Sequence, residues 1–235
     1  MNYTDKLLLR SAQIAYYDIN KDVIDEINAW VDDVINNTGN LEFKASFTLC
    51  ELFEHSNTFK DSIYSSLTES IGVEGFVVDD TTDIKDIFIL EDIEDNEAKK
   101  AAISDVYQII DEIKNGELGS WKLVSYVFND DIGVPGVARE LTSDGWVHEN
   151  FSPSGDGLCA YVFETSDDSA IVAFRGSEPI TSWKTLFSDD FKSDWISADG
   201  GLALNDEDTL QQQSVYQYIN NYVNSLGYDN YAFAA

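Results

Sequence analysis

The sequence has few of the residues that form metal centres, disulfide frameworks or nucleic-acid interfaces. It contains 2 cysteines, 2 histidines and 3 prolines in 235 residues, and its 14 lysines and arginines are outnumbered by 44 aspartates and glutamates. Cys50 and Cys159 lie too far apart to form a zinc-binding motif, and two cysteines make no dense disulfide framework. Because basic residues are scarce and form no cluster, we expect no zinc site and no direct binding of nucleic acid.

The sequence also lacks a long apolar segment. Residues 1–6 have no basic stretch of the kind that opens a secretory signal, and the three leucines at 7–9 are followed at once by Arg10. We therefore expect no cleaved signal peptide and no transmembrane segment. A cytoplasmic location and export by a route without a cleaved signal are both compatible with this start.

What the sequence does contain is a globular composition with a large excess of negative charge. Hydrophobic residues make up 43% and aromatic residues 13% of a chain long enough to bury a sizeable core. The net charge of −30 predicts a strongly hydrated surface that repels nucleic acid and anionic lipid headgroups. A basic protein is the class of macromolecular partner that this charge favours.

The periodicity of apolar residues divides the chain at about residue 117. Before that point, apolar residues recur at the three- and four-residue spacing of amphipathic helices. Asn20 has the position of a helix N-cap, Asn40, which follows Gly39, ends that helical unit, and Gly116 has the position of a later helix stop. We expect residues 1–117 to form a helical N-terminal region, either a cap or a subdomain.

Residues 118–235 have the period and composition of strands instead. Four runs of β-branched and aromatic residues predict strands, at 123–128, 159–164, 170–174 and from 230 onwards. A clear helical stripe at 215–226 precedes the last of them. The order strand, loop, helix, strand is a βαβ crossover, so we expect the α/β class with a sheet that is at least partly parallel.

Several short motifs in this second region occur in a particular order. Residues 170–177, Ala-Ile-Val-Ala-Phe-Arg-Gly-Ser, predict a strand that ends in Phe-Arg-Gly-Ser. This motif resembles the strand that leads into the oxyanion loop of class-3, fungal-lipase-like α/β-hydrolases. Further segments are similar to this family, and to its bacterial branch in particular, at 14–18, 157–163, 194–195, 212–218 and 231–234.

The resemblance implies an α/β-hydrolase sheet and the hydrolysis of carboxylic esters, with a lipid or another small-molecule ester as substrate and no cofactor. In the family, the residue after Arg-Gly supplies a backbone N–H to the oxyanion, which gives Ser177 that role here. Gly176 then allows the sharp turn of the oxyanion loop, and Arg175 braces the loop through a carboxylate or carbonyls. Losing one such oxyanion donor typically raises the barrier by roughly 2.7–4 kcal/mol.

The catalytic serine that the family requires is absent from these 235 residues. In this fold the serine lies in a G-x-S-x-G elbow between a strand and a helix, and the aspartate and histidine of the triad follow it in sequence. No G-x-S-x-G pattern occurs here, and His55 and His148 both precede the oxyanion strand. We therefore expect the chain to be truncated just before the elbow and to be inactive alone.

Two alternative sites fail on residue type. Residues 18–22 carry side-chain oxygens at alternate positions, as a calcium loop does, but Val23 and Ala29 stand where that loop needs glycine and glutamate. We therefore expect no metal site. The aspartates at 189, 190 and 194 predict a solvated acidic loop rather than an acid–base pair.

Two functional hypotheses remain. In the first, the chain is the N-terminal portion of a lipase- or esterase-like serine hydrolase, without its Ser-Asp-His triad. In the second, it is a non-catalytic, hydrolase-like relic whose acidic surface binds a basic partner. Cooperative folding as a monomer favours the second hypothesis, and exposed hydrophobic surface favours the first.

Overall fold

The computed structural model describes most of the N-terminal half of the chain and the strands of the C-terminal half. The described residues are 5–73, 75–128, 131–134, 137–140, 159–165, 169–175, 218–219 and 223–234. The predicted oxyanion residues Gly176 and Ser177 lie outside these ranges, as do His148 and the three aspartates at 189–194.

The α-helices of the described residues lie in the N-terminal half. They are α1 (Asp5–Ile14), α2 (Lys21–Thr38), α3 (Leu49–His55), α4 (Asn57–Ile71), α5 (Ile84–Phe88), α6 (Glu91–Glu94) and α7 (Glu97–Asn115). A 3-10 turn at Glu117–Ser120 then leads into the first strand. The change from helical to strand period in the sequence lies at this turn.

Short polar residues begin several helices, and glycines end some of them. The side chain of Asn20 accepts hydrogen bonds from the backbone N–H groups of Asp22 and Val23, which confirms it as the N-cap of α2. Helix α2 ends at Gly39, whose φ of 71° lies in the left-handed region that glycine adopts without a Cβ clash. Ser56 ends α3 and caps α4, so these two helices meet at one residue.

The C-terminal half contributes a mixed sheet. Its strands are β1 (Lys122–Phe128), β2 (Asp131–Val134), β3 (Val137–Glu140), β4 (Cys159–Glu164), β5 (Ser169–Arg175) and β6 (Asn230–Ala234). They are ordered β3-β2-β1-β4-β5-β6, with β5 and β6 parallel and the other neighbours antiparallel. The expectation of an α/β protein with a partly parallel sheet is therefore confirmed.

The two faces of the sheet pack against different parts of the chain. One face joins the core of the helical half through Leu123, Tyr126, Tyr161, Phe163, Ile171 and Ala173. The other face packs against Tyr218 and Val223 through Val127, Ala160, Val162, Ala170 and Val172. Because successive strand residues point to opposite faces, burial on both faces accounts for the uninterrupted apolar runs of β4 and β5.

Helix α1 positions the segment that follows it. The helix lies against β5 and β6, and residues 11–14 at its end are buried. The six residues between α1 and α2, 15–20, contact the sheet through Tyr17, Asp18 and Ile19. No helix among the described residues combines the length and the apolar character needed to cross a bilayer.

The crossover between β5 and β6 is described only near its end. Tyr218 and Ile219 have π-helical geometry, and Val223–Leu226 forms a 3-10 turn. Gly227 follows with a φ of 78°, in the left-handed region. The rest of the helix predicted at 215–226 lies outside the described residues.

Candidate functional site at the carboxyl edge of the parallel strands

The candidate site lies where the parallel strands β5 and β6 end. Their register pairs Ala173 with Ala234, so the two carboxyl ends reach the same edge of the sheet. The antiparallel strand β4 begins at this edge, and its first residue, Cys159, pairs with Arg175 at the end of β5. In open α/β sheets, ligands bind beyond the carboxyl ends of the parallel strands.

Arg175 reaches from this edge to the segment that joins α1 and α2. Its Nη1 donates a hydrogen bond to Oδ1 of Asp18 over 3.2 Å, and its guanidinium lies 5.9 Å from the centre of the Tyr16 ring. The side chains of Arg175 and Asp18 are 37% and 46% exposed. The contact agrees with the kind of bracing expected of Arg175, through a carboxylate, while its effect on the oxyanion loop stays a prediction.

Tyr161 fixes the backbone on both sides of Asp18. Its hydroxyl donates to the carbonyl oxygen of Tyr17 over 3.2 Å and accepts from the backbone N–H of Ile19 over 3.3 Å. The ring is fully buried, and this burial raises the pKa of Tyr161 well above its usual value. The hydroxyl therefore keeps the proton that it donates to Tyr17 throughout the neutral range.

A second arginine anchors the helix that carries this segment. The Arg10 side chain is 4% exposed and joins α1 to α7. Its guanidinium donates to Gln13 and Asp105 over 2.7 and 2.8 Å, and to Gln108 and Glu112 over 3.2 and 3.3 Å. Several charged and amide acceptors thus compensate the burial of one cation.

The cysteines and the described histidine do not add a nucleophile to this edge. Burial raises the pKa of the Cys50 thiol, and the nearby carboxylates of Glu54 and Glu51 raise it further. Cys159 is buried at 3% exposure. His55 stacks flat on Trp30, with ring centres 3.7 Å apart, which is a packing arrangement.

Two of the three possible cation ligands at 18–22 have other partners. Asp18 pairs with Arg175, and the side chain of Asn20 caps α2. No group of three or more histidine, cysteine, aspartate or glutamate side chains within the described part of the chain is arranged to hold a metal ion.

Comparison with known proteins gives no relative that assigns a function to this edge. Neither protein-family models, curated proteins nor solved structures yield a significant match to the chain.

The sequence indicated Arg175 but not its partner. Asp18 lies 157 positions away, and nothing in the local pattern around either residue relates the two. The sequence pattern predicts that Tyr161 lies in a strand, but it gives no sign that its hydroxyl bonds to the backbone on both sides of Asp18. The one local signal was the charged residue Asp18 directly after an aromatic pair at 16–17, in the segment that follows α1.

Proposed function

We propose that this chain forms the oxyanion side of a serine hydrolase that acts on carboxylic esters, with lipid esters as the favoured class. The observation that carries the proposal is the position of Arg175. It ends β5 at the edge where β6 also ends, and Asp18 holds its side chain there. This edge is where α/β sheets bind their ligands.

The proposed chemistry assigns one task to each end of the parallel pair. A serine on an elbow after β6 attacks the ester carbonyl carbon, and the carbonyl oxygen takes up the negative charge. The backbone N–H of Ser177, just after β5, donates to that oxygen. Because β5 and β6 are adjacent and parallel, their carboxyl ends are one strand spacing apart, roughly 4.8 Å.

The charges around the edge favour a neutral ester over an anionic substrate. Arg175 is already paired with Asp18, so its charge is neutralised and it is suited to bracing rather than to binding an anionic substrate. The net charge of −30 likewise favours neutral esters over anionic ones.

The test is ester hydrolysis by the natural gene product, made from its whole coding sequence. We expect turnover of p-nitrophenyl butyrate. Replacing Ser177 with alanine keeps the backbone N–H of residue 177 and removes only its hydroxyl, which the family resemblance gives as an auxiliary donor to the oxyanion. We therefore expect kcat to fall about tenfold, less than for loss of a main donor, while KM changes little. The control is Ser65→Ala on the exposed face of α4, which should leave both constants unchanged.

Absence of ester turnover by that gene product contradicts the proposal. Salt-sensitive binding of a basic polypeptide such as polylysine, with no turnover, would then favour the acidic binding protein instead.

A further inference from the structure

We infer that Asp18 is a positioning residue, which holds the Arg175 guanidinium at the carboxyl end of β5. The inference rests on the proposed function for what the end of β5 does in the reaction. It goes beyond that function because it gives the segment between α1 and α2 a part in the active site.

The contact itself is specific but weakly stabilising. Asp18 accepts from Nη1 of Arg175 over 3.2 Å, and the Tyr16 ring lies beside the same guanidinium at 5.9 Å. Both charged side chains are more than one-third exposed. Exposed ion pairs contribute little to folding, so the expected effect of this pair is on the orientation of Arg175.

The backbone around Asp18 is held by contacts that do not involve the Asp18 side chain. Tyr17 and Ile19 are buried at 1% and 0% exposure, and the Tyr161 hydroxyl bonds to the carbonyl of one and the N–H of the other. Only the Asp18 side chain in this stretch of three points to a charged partner on β5. Because its backbone is already ordered, the Asp18 carboxylate loses little conformational entropy when it binds Arg175.

Both flanks of this segment are also anchored. Upstream, the buried Arg10 binds α1 to α7 through Asp105 and Glu112. Downstream, the Asn20 side chain caps α2. The helical half therefore places the Asp18 carboxylate at the end of β5. The orientation of Arg175 then depends on residues far away in the sequence.

The test compares Asp18→Asn with Asp33→Asn, which makes the same charge change at an exposed position of α2. The first readout is hydrogen exchange of the peptide covering 169–175. Asp18→Asn should speed exchange at its carboxyl end about two- to fivefold, as expected for loss of an exposed ion pair. Asp33→Asn should not change it.

The second readout is the kinetics of ester hydrolysis by the natural gene product. Asp18→Asn should lower kcat about tenfold or more and change KM by no more than about twofold. A misplaced Arg175 would disturb the geometry of the reacting groups, which weakens stabilisation of the transition state more than binding of the substrate. Asp18→Glu restores the carboxylate and should recover part of the rate. A residue needed only for folding would change the amount of active protein and spare the per-site kcat.

The outcomes separate the two proposals. If the wild-type gene product hydrolyses no ester, the proposed function fails, and exchange alone decides whether Asp18 holds the end of β5. Unchanged exchange in Asp18→Asn overturns the inference. So does a kcat equal to that of wild type, or a loss of kcat that Asp33→Asn reproduces.

Discussion

Arg10 and Arg175 show how differently the same side chain can be used in one protein. Arg10 is almost completely buried and donates to two carboxylates and two amide oxygens. Arg175 is 37% exposed, and its ion-pair partner among the described residues is Asp18. The buried arginine joins two helices, and the exposed one joins a loop to the end of a strand.

The contrast predicts that stability and activity are separable in this molecule. Removing the cation of a buried network takes a donor from several acceptors at once, so Arg10 should matter for folding. Removing a half-exposed cation costs little stability, so any large effect at Arg175 should be on activity. Substitutions of Arg10 and Arg175, compared by their effect on the free energy of unfolding, test this separation.

Arg10→Met should have the largest effect on stability. It removes the buried cation that donates to Asp105 and Glu112, although Glu112 keeps its ion pair with Lys6 and Asp105 its hydrogen bond from Gln13. Because several charge-assisted hydrogen bonds are lost together, we expect the free energy of unfolding to fall by about 3 kcal/mol. Urea unfolding followed by circular dichroism measures the change.

The control is Lys21→Met, because Lys21 forms an exposed ion pair with Asp25 on α2. We expect that change to cost less than about 0.5 kcal/mol. Equal losses in the two variants would show that the Arg10 network contributes nothing beyond an ordinary surface pair.

Tyr161→Phe should have the next largest effect. The hydroxyl joins the Tyr17 carbonyl and the Ile19 N–H, and its removal leaves two buried backbone groups without this partner. We expect a loss of about 2 kcal/mol at pH 7, measured by urea unfolding.

The effect of Tyr161→Phe should depend on alkaline pH in a definite direction. Burial raises the pKa of Tyr161 in the folded state, so above pH about 10 the unfolded wild type releases a proton that the folded wild type retains. The stability conferred by the tyrosine is therefore complete below pH 10 and declines above it. The advantage of wild type over Tyr161→Phe should shrink between pH 10 and 11, and a constant difference contradicts this account.

Glu26→Gln should have a smaller, acid-sensitive effect. Partial burial raises the pKa of Glu26, but hydrogen bonds from Ser56 and from Thr58 outweigh it and hold the pKa below its usual value. The stability from this carboxylate is present above pH about 4.3 and is lost as pH falls through the folded pKa. We expect the variant to be about 1 kcal/mol less stable at pH 7 and equal to wild type near pH 3.

Arg175→Met should have the smallest effect on stability, below about 1 kcal/mol, because its ion pair is exposed. Thermal unfolding measures this value against Arg10→Met. If Arg175→Met lowered the free energy of unfolding as much as Arg10→Met does, the two arginines would not differ, and Arg175 would be needed for folding.

The local parts of the fold were readable from the sequence because local rules determine them. Asn20 caps α2 as its position predicts. The helix ends at Gly39, one residue before the predicted Asn40, because glycine adopts the left-handed φ of 71° without a Cβ clash. The strand predicted at 159–164 agrees with β4, because a run of five buried residues followed by Glu164 and a polar turn fits a strand covered on both faces.

The site depends on contacts that local rules do not determine. Asp18 and Arg175 meet because α1 packs on β5, and Tyr161 meets Tyr17 and Ile19 for the same reason. Such pairings follow from how apolar faces dock, and a single sequence contains no pattern that specifies them. Gly176 and Ser177 stay predictions from the resemblance.

The most direct test of the account is covalent labelling of the natural gene product with a fluorophosphonate, followed by mapping of the labelled peptide. The account predicts one labelled serine, in a G-x-S-x-G turn that follows β6, and labelling that Ser177→Ala slows. A gene product in which no serine reacts, or in which the reactive serine lies among residues 1–234, would contradict the assignment of this sheet edge to ester hydrolysis.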